Sequence, residues 1–287
     1  MLSKIVFPSS HPCANSAARS GWGIMPNTFL FSFRIPAIFS NDPFGLKGYF
    51  SVIFLDHSFL HLLDFGNLTS TGRRYTSSFS SSTRGFSAGG KDDPAVTNEI
   101  DYVEIGTLGD ALDFGDLTVA ALYWSGISSP TRGLTLVADD PASQVINMVT
   151  MASTGNAVDF GTQSKTGGYQ AAAANPVRGL WAGGYSSAPR QSVGHSSSIE
   201  AITMASRGTT QYFGDLASIT SQYGDGSSTS TRAVFTIGKI AAGNNFRNNI
   251  EYVTIASSGT ASDFGDATFP VAYRGVTSDS HGGLGGF

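Results

Sequence analysis

The sequence predicts an all-β fold that resembles a β-propeller, and three observations favour this fold. The chain of 287 residues is rich in glycine (35) and phenylalanine (20), while 13% of its residues are charged. A Phe-Gly pair recurs with a period of about fifty residues, which lies in the range of propeller repeats. Each period contains short apolar runs separated by glycine, serine and threonine, as expected of about four strands joined by tight turns.

A Phe-Gly pair closes each of five copies of the repeat. The pairs begin at Phe65, Phe114, Phe160, Phe213 and Phe264. An aspartate precedes the pair in four copies, as Asp64, Asp113, Asp159 and Asp263, and Tyr212 replaces it in the other copy. Asp-Phe-Gly holds magnesium in protein kinases, but a catalytic motif occurs once and this chain has no His-Arg-Asp. The repetition instead predicts a structural corner, in which the phenylalanine packs between repeats and glycine allows the turn at Gly66, Gly115, Gly161, Gly214 and Gly265.

A block of constant length precedes each Phe-Gly pair. An isoleucine stands fourteen residues before the phenylalanine and a glycine five residues before it, at Ile100 and Gly109, Ile146 and Gly155, Ile199 and Gly208, and Ile250 and Gly259. In the last copy Ile250 and Tyr252 point to one face of a predicted strand, and Val253 points to the other. The sequence therefore predicts a sheet that is covered on both faces. The first copy is degenerate, with Ser51 and Leu60 at these positions.

A second recurrent strand contains one arginine per repeat. The arginines are Arg84, Arg132, Arg178 and Arg232, and a loop of variable length follows each strand. A ring of arginines could hold an acidic glycan or a phosphate. Because the residue recurs, pairing with an aspartate or a strand-end carbonyl of an adjacent repeat is the favoured interpretation.

Four strands in about fifty residues indicate a propeller blade, with a period nearer to kelch repeats than to WD40 repeats. Five blades are predicted over residues 48–287, with a terminal strand in 280–287 completing the first blade and closing the ring. A sixth blade that begins near Arg19 and a linear stack of β-repeats are the alternatives. Residues 1–47 are rich in phenylalanine and do not follow the repeat, so they are predicted to form an arm or adaptor.

The corner aspartates are candidate cation ligands. Pairs such as Asp113 with Asp116 and Asp263 with Asp266 are suitable for Ca²⁺. Capping of the turn by hydrogen bonds to backbone N–H groups is the favoured interpretation, because no copy has a dense run of oxygen ligands. The sequence predicts no cofactor and no dedicated metal site.

Variable loops are the predicted ligand-binding segments. The longest, residues 185–198, holds Tyr185, Arg190 and His195. Loops on a rigid frame often carry function, and the aromatic residues Tyr185, Tyr223, Trp124 and Phe246 are suited either to stacking on sugar rings or to packing between blades. No acidic partner is fixed for His195 and Gly-x-Ser-x-Gly is absent, so no catalytic residue is predicted.

Composition excludes several other classes of function. The net charge of −4 is unsuited to nucleic acid, whose binding depends on clustered Lys and Arg. Cys13 is the only cysteine, so no intramolecular disulfide is expected. The most apolar stretch, residues 49–65, is interrupted by Asp56, His57 and His61 and is not a convincing membrane span.

Two blocks carry a family resemblance. The segments "IEYVTIASSGTASDFGD" (250–266) and "RGLWAGGY" (178–185) resemble repeats in large virion structural proteins of tailed bacteriophages, particularly marine cyanophages. There, "I-x-Y-x-T-I-A-S/T-x-G-x-A-x-D-F-G-D-L" and "R-G-x-x-A-G-G" recur many times. The resemblance covers residues 48–287 and implies a particle component with a tail, fibre or surface-decoration role. This chain departs from the pattern in its first copy, at Tyr212 and in its Phe-rich start.

The expected function is that of a non-enzymatic virion protein that binds other virion proteins, as a homo-oligomer or in another symmetric assembly. A host-surface glycan is a second candidate partner. A carbohydrate-active propeller enzyme is the leading alternative and requires convergent carboxylates in a central channel. A cellular kelch-like scaffold protein is the other alternative.

Overall fold

The computed structural model describes residues 49–56, 59–70, 72–120, 122, 125–136, 144–164, 167–186, 196–218, 224–239, 245–270 and 275–276. For residues 49–63, 167 and 185–186, the description is limited to the backbone. The predicted N-terminal arm (1–47), the strand in 280–287 that would close a ring, and the start of a sixth blade near Arg19 lie outside the described residues.

The described residues form strands, turns and loops, and none of them lies in a helix. The all-β prediction is therefore confirmed for this part of the chain. Repeat 1 contributes a hairpin of β1 (Tyr49–Asp56) and β2 (Phe59–Asn67). Repeat 2 contains β3 (Ser77–Ser80), β4 (Arg84–Ala88), β7 (Glu99–Glu104) and β8 (Leu112–Asp116), with the short pair β5 (Lys91–Asp92) and β6 (Ala95–Val96) between β4 and β7.

The later repeats have the same arrangement. Repeat 3 consists of β9 (Ser125–Ser128), β10 (Arg132–Leu136), β11 (Val145–Thr150) and β12 (Val158–Thr162). Repeat 4 consists of β14 (Ala171–Ala174), β15 (Arg178–Ala182), β17 (Ser198–Thr203) and β19 (Gln211–Asp215), with the short strands β13 (Gly167–Gly168), β16 (Tyr185–Ser186) and β18 (Gly208–Thr209). Repeat 5 consists of β20 (Asp225–Ser228), β21 (Arg232–Thr236), β22 (Asn249–Thr254) and β23 (Ser262–Asp266).

Repeats 2 to 5 each form a four-stranded antiparallel meander. In every one the pairing of the last two strands is interrupted by a bulge directly after the recurrent isoleucine, for example between Ile100 and Asp101. In repeat 1 the same bulge follows Phe50. The predicted equivalence of Ser51 with the isoleucines is therefore wrong by one residue, because β1 and β2 pair without interruption as far as Asp56 and Phe59 and make a longer hairpin.

The apolar cores lie between consecutive sheets. Phe79, Phe86 and Phe114 of repeat 2 pack with Val149 and Met151 of repeat 3. Equivalent clusters join repeat 3 to repeat 4 and repeat 4 to repeat 5. A smaller cluster joins Phe65 of repeat 1 to Val103 of repeat 2. The middle sheets are thus apolar on both faces, as the alternation in the constant block predicts.

The first strand of each sheet is built from small residues. The strands β3, β9, β14 and β20 read SSFS, SGIS, AAAA and DGSS, and β3, β9 and β14 each contact the first strand of the next repeat. A Cβ placed on Gly126 of β9 would come within 2.5 Å of the Ser78 carbonyl oxygen. Glycine is therefore a steric requirement at position 126, because the backbones of β3 and β9 approach closely there.

No closed ring is found among the described residues. The series of contacts runs from repeat 1 to repeat 5, and the four meanders plus the first hairpin account for the five sequence copies. The number of blades in a propeller stays a prediction.

Candidate functional site: the junctions between repeats

The Phe-Gly corner of each of repeats 1 to 4 binds a turn of the next repeat. We call this element the glycine turn; it precedes the last strand and contains Gly109, Gly155, Gly208 or Gly259. The Gly155 N–H donates to the Phe114 carbonyl oxygen (2.8 Å), and the Ala157 N–H donates to that of Asp116 (2.7 Å). These two bonds cover the exposed edge of the repeat 2 sheet, which would otherwise present unpaired backbone groups.

The same junction occurs at the other three boundaries. Gly109 and Ala111 bond Phe65 and Asn67 at 2.9 and 2.8 Å, while Gly259 and Ala261 bond Phe213 and Asp215 at 2.9 and 2.7 Å. Between repeats 3 and 4 the contact is a two-residue parallel ladder, with Gly161 opposite Gly208 and Thr162 opposite Thr209. Four of the five corners are therefore occupied by a glycine turn.

Glycine is required at position 115 for two separate reasons. Gly115 has φ 142°, a conformation that side chains disfavour. A Cβ on Gly115 would also lie 2.6 Å from the backbone of Gly155. The glycine of this Phe-Gly pair is thus required both by the conformation of its own turn and by the close approach of the next repeat.

At the first four corners the phenylalanine is buried in the core, whereas the corner aspartates lie at the surface. Phe65, Phe114, Phe160 and Phe213 are buried. The exposed carboxylates of Asp113 and Asp263 each accept the N–H of the corner glycine two residues on, at 3.0 Å. In repeat 4, Tyr212 takes the aspartate position; its hydroxyl donates to the Asp215 carboxylate, and this bond raises the pKa of Tyr212.

The recurrent arginines link each repeat to the next. Arg84 donates to the Met151 carbonyl oxygen (3.0 Å), Arg132 to that of Met204 (3.0 Å), and Arg178 to that of Ile255 (2.7 Å). Each of these oxygens lies at the start of a glycine turn. The arginine therefore binds the start of the glycine turn, and the corner of the same repeat binds the glycine of that turn.

A buried polar residue follows the recurrent isoleucine in every complete repeat. Asp101, Asn147, Glu200 and Glu251 are 0–3% exposed. Each accepts a hydrogen bond from the segment just after the preceding corner: the donors are the Thr69 hydroxyl (2.7 Å), the Thr118 N–H (2.9 Å), the Ser164 hydroxyl (2.5 Å) and the N–H groups of Ala217 (2.7 Å) and Ser218 (2.9 Å). Sequence reasoning missed this position, although a polar residue recurring beside an invariant apolar one inside a strand is a usable signal.

Asp101 differs from the other three in having a buried cation beside it. The Arg73 guanidinium, whose side chain is fully buried, pairs with the Asp101 carboxylate and also reaches Glu99 at 3.4 Å. Burial raises the pKa of Asp101, and the neighbouring Arg73 charge opposes that rise. Desolvation outweighs the ion pair in setting the direction.

The loop proposed from the sequence as a binding segment is not brought into a described site. Arg190 and His195 lie outside the described residues, as do Trp124, Tyr223 and His57. Tyr185 lies in β16, opposite Gly168 of β13. Phe246 is 40% exposed. Among the described residues no three His, Cys, Asp or Glu side chains are grouped as metal ligands would be.

A shallow polar groove lies between the glycine turns of repeats 4 and 5. It is lined by Arg207, Gln211 and Tyr212 on one side and by Ser257 and Ser258 on the other. The Tyr212 side chain is half-exposed, and Arg207 of the glycine turn lines the same side of the groove. An aromatic face next to a cation and hydroxyl groups suits a polar sugar.

Comparison with known proteins adds no relative. No protein-family model matches the chain, and no curated protein is significantly similar to it. In the part of the chain that the structure describes, no helix has the length and apolar character needed to cross a bilayer.

Proposed function

We propose that this chain is a non-enzymatic structural protein of a bacteriophage particle, in a tail, fibre or surface-decoration position, where it attaches particle proteins to one another. The observation that carries the proposal is the repeated junction. Buried acidic residues and recurrent arginines join neighbouring repeats through Asp101, Glu200, Glu251 and Arg132. Polar groups committed to holding sheets together suit a rigid frame that presents loops and edges to partners.

We further propose that the sheets are blades of a β-propeller-like domain of five repeats. Four-stranded antiparallel meanders with apolar cores between consecutive sheets support blade architecture. Closure of the ring would bring the strand in 280–287 to the hairpin of repeat 1. A linear stack is the competing arrangement, and small-angle scattering from the full chain separates a compact ring from an extended stack.

The particle itself provides the test of the attachment role. The chain is expected in mass spectra of purified virions and at a symmetric position in a cryo-EM map of the particle. Absence from purified particles, with the protein still detected in infected cells, would contradict the proposal.

A host-surface glycan is a second candidate partner, favoured by the groove beside Tyr212. Binding on a glycan array is expected to fall when Tyr212→Ala removes the exposed ring, while replacement of the loop 185–198 tests the segment proposed from the sequence. Glycan binding that survives both changes would remove these two surfaces from the proposal. Polysaccharide hydrolysis that is lost on changing one Asp or Glu would instead support the enzyme alternative.

A further inference from the structure

The groove between the glycine turns of repeats 4 and 5 departs from the repeat pattern at two positions. The residue before the turn glycine is Leu108, Thr154 or Ser258 in the other complete repeats, but it is Arg207 in repeat 4. The residue before the corner phenylalanine is an aspartate in four copies, but it is Tyr212 in repeat 4. Both exceptions line the same groove. Relative to the equivalent positions of other repeats, this groove has gained a cation and lost a carboxylate.

The recurrent arginine of repeat 4 adds a second cation that has no acidic neighbour. In repeat 2, Arg84 forms an ion pair at 2.7 Å with Glu104, its partner on the adjacent strand. Arg178 lines the groove, and the equivalent partner on its adjacent strand is Thr203. Within the described part of the chain, neither Arg178 nor Arg207 forms an ion pair. The described lining holds both arginines and no Asp or Glu side chain, so the protein leaves this positive charge unneutralised.

The Asp215 carboxylate follows the Phe-Gly pair of repeat 4, but other side chains of the protein already bind it. It accepts a hydrogen bond from the Tyr212 hydroxyl and one from the Ser197 hydroxyl, the latter at 3.2 Å. Asp215 is not one of the residues that line the groove. Its bond to Tyr212 fixes the orientation of the half-exposed ring. The groove therefore presents an aromatic face together with two cations.

We propose that this groove binds a sugar that carries a carboxylate, within a host-surface glycan. The planar guanidinium groups of Arg207 and Arg178 match a carboxylate, which accepts two parallel hydrogen bonds from one arginine. The Tyr212 ring offers an apolar face to the C–H side of the sugar ring, and the Ser257 and Ser258 hydroxyls bond the sugar hydroxyls. The groove has a volume of about 480 Å³, within the range of about 300–1,000 Å³ that is typical of small-molecule sites.

The lining favours a sugar over an acidic peptide. The large apolar residues of the groove, Ile202 and Phe213, are buried, so no apolar pocket is open to a peptide side chain. The backbone of β19 is already paired at this edge, since the Gly259 and Ala261 N–H groups donate to its carbonyl oxygens. Apolar pockets and free strand edges are the common means of binding an extended peptide. Neither is offered by the described residues of this groove.

This inference names the chemical class of the glycan partner, and it rests on that second candidate function rather than on the attachment role. The full chain is titrated with the methyl glycosides of glucuronic, galacturonic and N-acetylneuraminic acid, and binding is followed by saturation-transfer NMR. Each acid is compared with its methyl ester, which keeps the ring and its stereochemistry but lacks the charge. At least one acid should bind about ten-fold more tightly than its ester, because the ester loses a charged hydrogen bond. Added NaCl should reduce this preference, since it screens exposed charges.

A pair of arginine substitutions locates the carboxylate. Arg207→Gln removes the charge at an exposed position; it should lower the affinity for the acid about ten-fold and leave the affinity for the ester unchanged. Arg232→Gln removes the same charge from an exposed position outside the groove and should change neither affinity.

A pair of substitutions at Tyr212 restores or omits the carboxylate of the repeat pattern. Tyr212→Asp and Tyr212→Asn both remove the ring, and both should fold because aspartate occupies this position in the other four copies. Only Tyr212→Asp places a negative charge in the groove. Tyr212→Asp should therefore weaken binding of the acid several-fold more than Tyr212→Asn, with no such difference for the ester.

Four results would overturn the proposal: equal affinities for acid and ester, equal effects of Arg207→Gln and Arg232→Gln, equal effects of the two Tyr212 substitutions on acid binding, or no saturable binding of any of the three acids. The peptide acetyl-Gly-Glu-Gly-Asp-amide is titrated in parallel. If it binds through Arg207 more tightly than every acid glycoside, the occupant is a protein and the proposal is wrong. If esters bind as tightly as acids, the glycan partner survives and its acidic class does not, so the two proposals fail separately.

Discussion

The carboxylate of Glu251 in repeat 5 accepts the backbone N–H of Ala217, which follows the corner of repeat 4, at 2.7 Å. The same carboxylate accepts the Ser218 N–H at 2.9 Å. Glu251 is 2% exposed, so the two N–H groups satisfy a charge that has been removed from water. The start of each segment between repeats is thus fixed by the interior of the next sheet.

Glu251→Ala is expected to destabilise the fold by about 1–3 kcal/mol, because it leaves the two N–H groups without their acceptor. Glu251→Gln retains one acceptor oxygen and should cost less than Glu251→Ala. The free energy of unfolding from urea titration measures both. Thr254→Ala, an exposed change on the same strand, is the control; a loss in Thr254→Ala as large as that in Glu251→Ala would contradict the assignment.

Phe160→Ala and Phe264→Ala compare two positions of one motif. Phe160 is 1% exposed and lies in the core between repeats 3 and 4, so its truncation is expected to cost about 3–5 kcal/mol. Phe264 is 44% exposed, and its truncation is expected to cost at most about 1 kcal/mol. Thermal and urea unfolding check the difference. Equal losses would mean that Phe264 is covered in solution.

Gly115→Ala and Gly265→Ala separate backbone strain from steric contact. Both glycines have positive φ, 142° and 134°, so each substitution carries a strain cost of about 1–3 kcal/mol. Gly115→Ala must also displace the glycine turn of repeat 3, since the new Cβ would lie 2.6 Å from Gly155. It should therefore destabilise the fold more than Gly265→Ala. Hydrogen exchange at the Gly155 amide should accelerate only in Gly115→Ala.

The raised pKa of Asp101 predicts a specific pH dependence of stability. Because the folded state binds the proton more readily than the unfolded state, stability falls as pH rises from the ordinary carboxyl value of 3.8 towards the raised value. Asp101→Asn removes this titration, so its unfolding free energy should decline less over the same window. Urea titrations at several pH values measure the two slopes. A steeper decline in Asp101→Asn than in the wild type would contradict the assigned direction.

The repeat pattern allowed the all-β class and the apolar block around Ile250 and Tyr252 to be predicted, because a strand covered on both faces leaves a periodic apolar record in the sequence. The first strand of each sheet was not predicted as a strand. Its sequences, such as the four alanines of 171–174, have no apolar alternation, since small size rather than hydrophobicity is what close sheet packing selects there.

The candidate site was predictable in its residues but not in its contacts. Recurrence identified Phe114, Gly115 and Arg132, whereas the partners of these residues lie about forty or more positions away in the next repeat and leave no local signal. The exposure of Phe264 could not be predicted for the same reason. Asp263-Phe264-Gly265 has the same sequence as the corner at Asp113, which is covered by a glycine turn. The two corners differ only in whether such a turn packs against them.

The polar residue that follows the recurrent isoleucine also bears on how the chain folds. Near-identical repeats risk pairing out of order, because their apolar surfaces are interchangeable. Here the four positions carry an aspartate, an asparagine and two glutamates, and their donors are hydroxyls, backbone amides or an arginine. The two glutamates have the same length but different donors, a hydroxyl for Glu200 and backbone N–H groups for Glu251, so each junction has its own combination of side chain and hydrogen-bond partner. A repeat docked on the wrong neighbour would bury a mismatched polar group, so the identity of the residue at this position disfavours such a misplaced junction.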